Sequence, residues 1–99
     1  MNDLYPWDAT VVAVEDQASC DMAGEMLILN LKNGRYYGLD PVGSWIWNLI
    51  QQPHTLAEVR DAIIAEYEVE RERVENDLQA LLRDLATHGL IEVESASNL

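Results

Sequence analysis

Phenylalanine is missing from this sequence, cysteine occurs once, and basic residues number only six. One thiol, Cys20, cannot close an internal disulfide, so the fold stands on its core alone, as suits a reducing compartment. No apolar run approaches the roughly 20 residues that a bilayer-crossing helix needs. The opening MNDLYPWD has no positive charge ahead of an apolar stretch, so it does not read as an export signal, and the expected location is the cytoplasm. Six basic against eighteen acidic residues leave a formal net charge of −12. Such a field repels phosphate backbones and favours neutral or cationic partners, although excess acid equally serves to keep a small domain in solution.

Groups that do chemistry are as scarce. His54, His88 and Cys20 are scattered, without the i, i+4 or C-x-x-C spacing of a zinc site. His88 closes an apolar helical stripe, a place where a donor near the last carbonyls is a common structural device. Cys20 stands next to Asp21, which raises a thiol pKa rather than lowering it. No glycine loop for phosphate, no G-x-S-x-G elbow and no H-E-x-x-H is present. The sequence therefore predicts no catalytic residue, no metal site and no cofactor, and Asp77 and Asp84 read by default as carboxylates on a solvated helix face.

What the chain does have is apolar patterning. Its 99 residues are 48% hydrophobic, enough for one modest core, so we expect a single domain over residues 1–99 with an ordered part at about 9–93. Thr10 to Glu15 is β-branched and reads as a strand that pairs with the next one, across a turn-prone stretch from Asp16 to Gly24. Glu25 to Lys32 alternates, with Leu27, Leu29 and Leu31 on one face and Ile28, Asn30 and Lys32 on the other. Asn33-Gly34 signals a two-residue hairpin, which would set Lys32 opposite Arg35, Leu31 opposite Tyr36 and Asn30 opposite Tyr37. Tyr36 then joins the leucine face as core, and Arg35 to Leu39 forms a third strand.

Asp40-Pro41 is a helix start, an N-cap aspartate followed by proline at the first helical position, and Val42, Trp45, Ile46, Leu49 and Ile50 recur behind it. Trp45 and Trp47 read as packing anchors. Thr55-Leu-Ala-Glu58 fits a capping box for a second helix running to about Tyr67, with Leu56, Val59, Ile63 and Tyr67 as the stripe behind it. A third, from about Glu70 to His88, repeats Val74, Leu78, Leu81, Leu85 and His88 and ends at Gly89 as a C′ residue. Leu90 to Val93 reads as a terminal wing. The predicted fold class is α+β: a three-stranded antiparallel N-terminal sheet followed by three helices, similar to a winged helix-turn-helix. Its candidate recognition helix is net acidic, which argues against DNA.

The run Gly34-Arg35-Tyr36-Tyr37-Gly38-Leu39-Asp40, followed by Val42-Gly43 and Ile46-Trp47, resembles the PqqD-like family. Val74, Asp77, Leu81, Leu85, Gly89, Leu90 and Ile91 extend the likeness through the third helix. The resemblance implies a RiPP recognition element, a non-catalytic domain that binds the leader of a ribosomally made precursor peptide. It also implies that the leader adds as a strand beside the third strand and lies against the third helix. The stand-alone protein of lasso-peptide clusters, working beside a leader peptidase and a macrocyclase, is the nearest likeness. A PQQ-biosynthesis chaperone serving a radical-SAM enzyme is the alternative within the family, and a dimerisation or transcription-regulatory winged-helix module the alternative outside it.

The residues support strand addition on their own terms. The third strand would have only one neighbour, and an unpaired strand edge is a template for a guest peptide or for a second copy of the chain. Candidate peptide-binding residues are Arg35, Tyr36, Tyr37, Gly38 and Leu39 on the strand. Asp77, Ala80, Leu81 and Asp84 form one flank of the third helix, where the carboxylates would favour a leader carrying Lys or Arg.

Overall fold

A computed structural model describes residues 4–95. The described elements are β1 (Thr10–Ala13), β2 (Gln17–Met22), β3 (Glu25–Asn30), β4 (Tyr36–Leu39), α1 (Pro41–Leu49), β5 (His54–Thr55), α2 (Leu56–Tyr67), α3 (Arg71–Thr87) and β6 (Ile91–Glu94). They form an α+β fold with two antiparallel three-stranded sheets, in the orders β5-β1-β6 and β2-β3-β4.

The helix boundaries follow local chemistry. Asp40 caps α1 by accepting from the Gly43 N–H at 2.7 Å, with Pro41 leading the helix. Both bonds of the Thr55–Glu58 capping box form. At the end of α3 the Gly89 N–H reaches the Ala86 carbonyl at 3.0 Å and the Leu90 N–H reaches Leu85 at 2.9 Å, with Gly89 at φ +70. That pair of bonds is a Schellman motif. Ile28, Trp47, Ile50, Leu56, Leu78, Leu82 and Leu85 are among the fully buried side chains of one core that β3, α1, α2 and α3 share.

Strand pairing departs from the sequence reading in three ways. First, β1 pairs not with its successor but with β5 and β6, Val11 standing opposite both His54 and Val93. Its partners lie far along the chain, beyond what local pattern reveals. Second, the supposed turn from Asp16 to Gly24 is mostly strand: β2 is largely exposed, and although Ala18, Cys20 and Met22 alternate with polar residues it has no β-branched or aromatic residue to mark it as a strand. The tight two-residue turn is Ala23-Gly24, both at positive φ.

Third, Leu31 to Arg35 forms a longer loop, and the register moves by two residues: Tyr36 faces Leu29 and Tyr37 faces Ile28. The Asn33 side chain accepts from the Arg35 N–H at 2.9 Å, and the Gly34 N–H reaches the Asn30 carbonyl at 2.8 Å. These local bonds replace a type I′ turn. The buried face of β3 is accordingly Met26, Ile28 and Asn30, while Leu27 and Leu29 face the other way. Both faces are apolar, so alternation alone could not choose between them. Asn30 gives a reason for the choice, because its amide donates to the His88 carbonyl at 2.8 Å once it faces inward.

Ser44 joins α1 to the sheet. Its hydroxyl accepts from the Met26 N–H at 2.8 Å and donates to the Asp40 carbonyl at 2.8 Å. Ser44→Ala leaves a buried donor short of its partner and is expected to lower the unfolding free energy by about 1–3 kcal/mol, measured by urea denaturation. Ala23 sits at φ 60 without the backbone freedom of glycine. Ala23→Asn is expected to raise stability by about 1 kcal/mol, read as an upward shift of the same urea midpoint.

Candidate functional site

Among the described residues strand β4 pairs only with β3, which leaves one of its sides open. The Asn30 N–H donates to the Arg35 carbonyl at 2.9 Å, which fixes the ladder phase. Residues two apart from that pair, Tyr37 opposite Ile28 and Leu39 opposite Met26, also point their backbone groups at β3. The N–H and C=O groups of Tyr36 and Gly38 therefore point outward. A Cβ at Gly38 would meet nothing within 4 Å, so the approach to that backbone is clear.

Side chains alternate about this edge. Tyr36 is 65% exposed, not in the core as its expected parity implied, because the face it shares with Leu29 is the outer one. Tyr37 turns inward, half-buried, and its hydroxyl donates to Asp84 Oδ2 at 2.8 Å. Its ring tilts against His88 at a centroid distance of 4.7 Å, and His88 Nδ1 meets the Asp84 carbonyl at 2.8 Å. The edge strand is thus tied to the last turn of α3. Leu39 is buried in the core and its backbone groups face β3, so it offers neither side chain nor backbone group to the open edge. Arg35 is exposed in the loop that precedes the strand.

Between the start of α1, the end of α2 and the flank of α3 lies a cavity of about 550 Å³. Asp77 and Leu81 line it from α3, Asp40, Val42 and Ile46 from the strand–helix junction, and Tyr67 and Val69 from the α2–α3 turn. Asp77 is paired with Arg73 at 3.6 Å. Ala80 lies elsewhere, in a shallow recess with Arg83, Asp84 and Thr87. The structure therefore joins Asp77 with Leu81, and Tyr37 with Asp84, and leaves Arg35 and Ala80 outside the cavity. Val42 and Tyr67, 40% and 38% exposed, read in the sequence as members of core stripes. Their signal was position: Val42 follows the strand end by three residues, and Tyr67 ends its helix.

Among the described residues, no three His, Cys, Asp or Glu side chains converge as a metal site requires. The one strongly shifted group at the site is the Tyr37 phenol, pushed up from 10.0 to about 12, mainly by burial and then by the hydrogen bond and charge of Asp84. Since the folded value lies above the unfolded one, the stabilisation is complete below pH 10 and is lost as pH rises through about 12. In an ultraviolet absorbance titration, Tyr37 is expected to ionise well after an ordinary tyrosine, and Tyr37→Phe to remove that late step. A wild-type curve with a single phenolate transition near the ordinary value would refute the Tyr37–Asp84 bond.

Residues 25–91 match the family described as coenzyme PQQ synthesis protein D (PqqD). No curated protein matches the chain. Two solved structures are similar. One, "TbiB1 in Complex with the TbiA(beta) Leader Peptide", is 42% identical with a TM-score of 0.76 and spans 82% of this chain and 94% of that chain. The other, "Lasso peptide synthetase B1 complexed with the leader peptide", is 26% identical with a TM-score of 0.72 and spans 83% of this chain and 96% of that chain. The family match runs from β3 into β6 and so contains both the open edge and α3. With its motifs, its fold and two-thirds of its length in agreement, this chain belongs to the PqqD family and has the fold of the RiPP recognition elements.

Proposed function

We propose that this protein binds the leader segment of a ribosomally synthesised precursor peptide as an added strand beside β4, and delivers it to a leader peptidase and a macrocyclase of the lasso-peptide type. The observation that carries this reading is the open edge: two outward N–H and two outward C=O groups, on Tyr36 and Gly38, next to a cavity walled by α3. A guest strand would take its register from those four groups. Its side chains would alternate, one set turned toward Val42, Tyr67 and Leu81 and the other lying beside Tyr36.

The role asks for no covalent chemistry, only donors, acceptors and apolar walls. Asp77 and Asp84 already have partners in Arg73 and Tyr37, so a basic leader side chain would share or replace an existing bond. The protein that is 42% identical is itself in complex with a leader peptide, and the one that is 26% identical is a lasso peptide synthetase B1 complexed with the leader peptide; together they favour the lasso-peptide reading. The family description favours the alternative of a PQQ-biosynthesis chaperone beside a radical-SAM enzyme. Titration with the precursors of both types separates them.

The test is fluorescence anisotropy with labelled leader peptides from neighbouring precursor genes, and with duplex DNA as a control. Gly38→Pro removes one outward donor, and a ring there obstructs a guest strand. We expect leader affinity to fall by roughly tenfold or more, with the circular dichroism spectrum preserved. A folded proline variant that binds leader as the wild type does would overturn the docking mode. Salt-sensitive DNA binding without leader binding would favour the regulatory winged-helix reading instead.

A further inference from the structure

Four of the six basic residues in the chain are engaged by carboxylates among the described residues: Lys32 by Asp16, Arg60 by Asp61 and Glu75, Arg71 by Glu75, and Arg73 by Asp77. Arg35 and Arg83 belong to none of these pairs, although the chain holds eighteen acidic residues. Their neighbours explain why. Arg71 and Arg73 each find a carboxylate one helical turn on, at i+4. The positions three and four from Arg83 in either direction are Gln79, Ala80, Ala86 and Thr87. Across the ladder from Arg35 stands Asn30. Neither arginine is offered a carboxylate at these positions, and both are exposed.

The two unpaired cations stand at the same end of the open edge. The Arg35 carbonyl takes the Asn30 N–H, and opposed residues of a ladder share a face. Arg35 therefore lies on the side of Asn30 and Tyr37, which is the side turned to α3. It precedes Tyr37 by two residues, roughly 7 Å of strand. Arg83 adjoins Asp84, the acceptor of the Tyr37 hydroxyl at 2.8 Å, and both line the shallow recess with Ala80 and Thr87. Two guanidinium groups thus accompany one carboxylate at this end, in a chain whose net charge is −12. At the far end of the strand the charged residues lining the cavity are Asp40 and the mutually paired Asp77 and Arg73.

We infer that Arg35 and Arg83 together select an acidic side chain, Asp or Glu, on the guest strand at the Tyr36 end of β4. The inference deepens the leader-binding reading above and rests on it. A strand that bonds Tyr36 and Gly38 passes both arginines, and every second side chain of it is turned to α3. Along α3, Arg83 follows the cavity-lining Asp77 and Leu81 by six and two residues, roughly 9 and 3 Å. At about 3.3 Å per strand residue, the acidic side chain stands about two residues along the guest from the one that enters the cavity. A guanidinium suits the task, since its planar fork can take both oxygens of a carboxylate. The strongly acidic chain otherwise repels a guest carboxylate, so this end is where one is compensated. Solubility does not call for these two cations, because a net charge of −12 already keeps copies apart.

The test uses full-length protein and the labelled leader encoded by the neighbouring precursor gene, titrated by fluorescence anisotropy. The double variant Arg35→Gln with Arg83→Gln is expected to keep its circular dichroism spectrum and to bind leader about fivefold or more weakly at about 0.05 M salt. The loss should shrink below about twofold at about 0.5 M. Lys32→Gln, which removes a cation already paired with Asp16, is the charge control and should bind within about twofold of wild type. Each acidic residue of the leader is also changed in turn to its amide. One such leader should bind the wild type as weakly as the double variant binds the native leader, and should lose nothing more against the double variant. Undiminished leader binding by the folded double variant would overturn the inference, as would an equal loss in Lys32→Gln or losses from leader and protein changes that simply add. A lowered urea midpoint with leader affinity intact would assign Arg83 to the negative end of the α3 dipole and overturn it too. Failure of the leader-binding reading shows separately, as absence of leader binding by the wild type at either salt concentration, and would take this inference with it.

Discussion

Backbone hydrogen bonding along one strand edge is the constraint on which the molecule turns. A peptide group removed from water must find a partner or remain at a solvated border, and β4 divides its groups between the two outcomes. Tyr37 and Leu39 turn toward β3, whereas Tyr36 and Gly38 stay open to solvent. Natural sheets blunt such borders with lysine, proline, bulges or shortness. Only shortness applies here: the strand is four residues long, Tyr-Tyr-Gly-Leu, with no charged residue in it. Four residues are few for runaway self-pairing yet sufficient to set the register of one guest.

An open border is useful only if it stays in place, and three ties hold it. Tyr37 bonds Asp84 on α3, Asn30 bonds the His88 carbonyl beyond that helix, and Ser44 bridges β3 and the start of α1. None of them uses the outward groups of β4. The second sheet performs a different task. Through β1 it gathers β5 from the middle of the chain and β6 from near its end, and beside it Gln79 of α3 exchanges two 2.9 Å bonds with the Tyr5 backbone. Arg60, itself buried, lies 5.1 Å from the Trp7 ring centroid and pairs with Asp61 and Glu75. The frame is closed far from the edge, which keeps the edge free.

The parts of this arrangement that were legible in the sequence are those with local causes. Asp40-Pro41, the Thr55–Glu58 box and Gly89 mark helix ends because a cap is made by residues three or four apart. The edge character of β4 followed from hairpin order, and the family resemblance came from motifs around that same junction. Pairing between distant segments was not legible. β1 looked like the natural neighbour of the next strand, while its partners lie some forty and eighty residues away. β2 was passed over because, with no β-branched or aromatic residue among Gln17 to Met22, its alternation is weak beside the turn-forming residues around it. The face of β3 was misread because Met26 and Ile28 are as apolar as Leu27 and Leu29, and that same two-sided hydrophobicity leaves an uncovered apolar surface outside the sheet. Of the site residues, Tyr37 and Asp84 meet where strand and helix join and Asp77 and Leu81 line the cavity among the helices, whereas Val42 and Tyr67 were hidden among core stripes.

On the proposed reading, selectivity and affinity would come from different parts of this crevice. Outward backbone groups carry no side-chain information, so any extended segment could satisfy them. Discrimination would then fall first to the apolar cavity between α1, α2 and α3 and to the carboxylates near it. Those carboxylates already have partners, Asp77 in Arg73 and Asp84 in Tyr37. A poor guest that displaced either bond without replacing it would leave a polar group short of a partner, at a cost comparable to the gain from one backbone pairing. A helix-turn-helix scaffold that reads DNA would need the opposite surface. From Arg71 to Thr87 the third helix carries Arg71, Arg73 and Arg83 against Glu72, Glu75, Asp77 and Asp84, and its C-terminal turn is engaged with an edge strand. Electrostatics thus disfavour phosphate on this scaffold, and the open backbone of β4 suits a peptide strand.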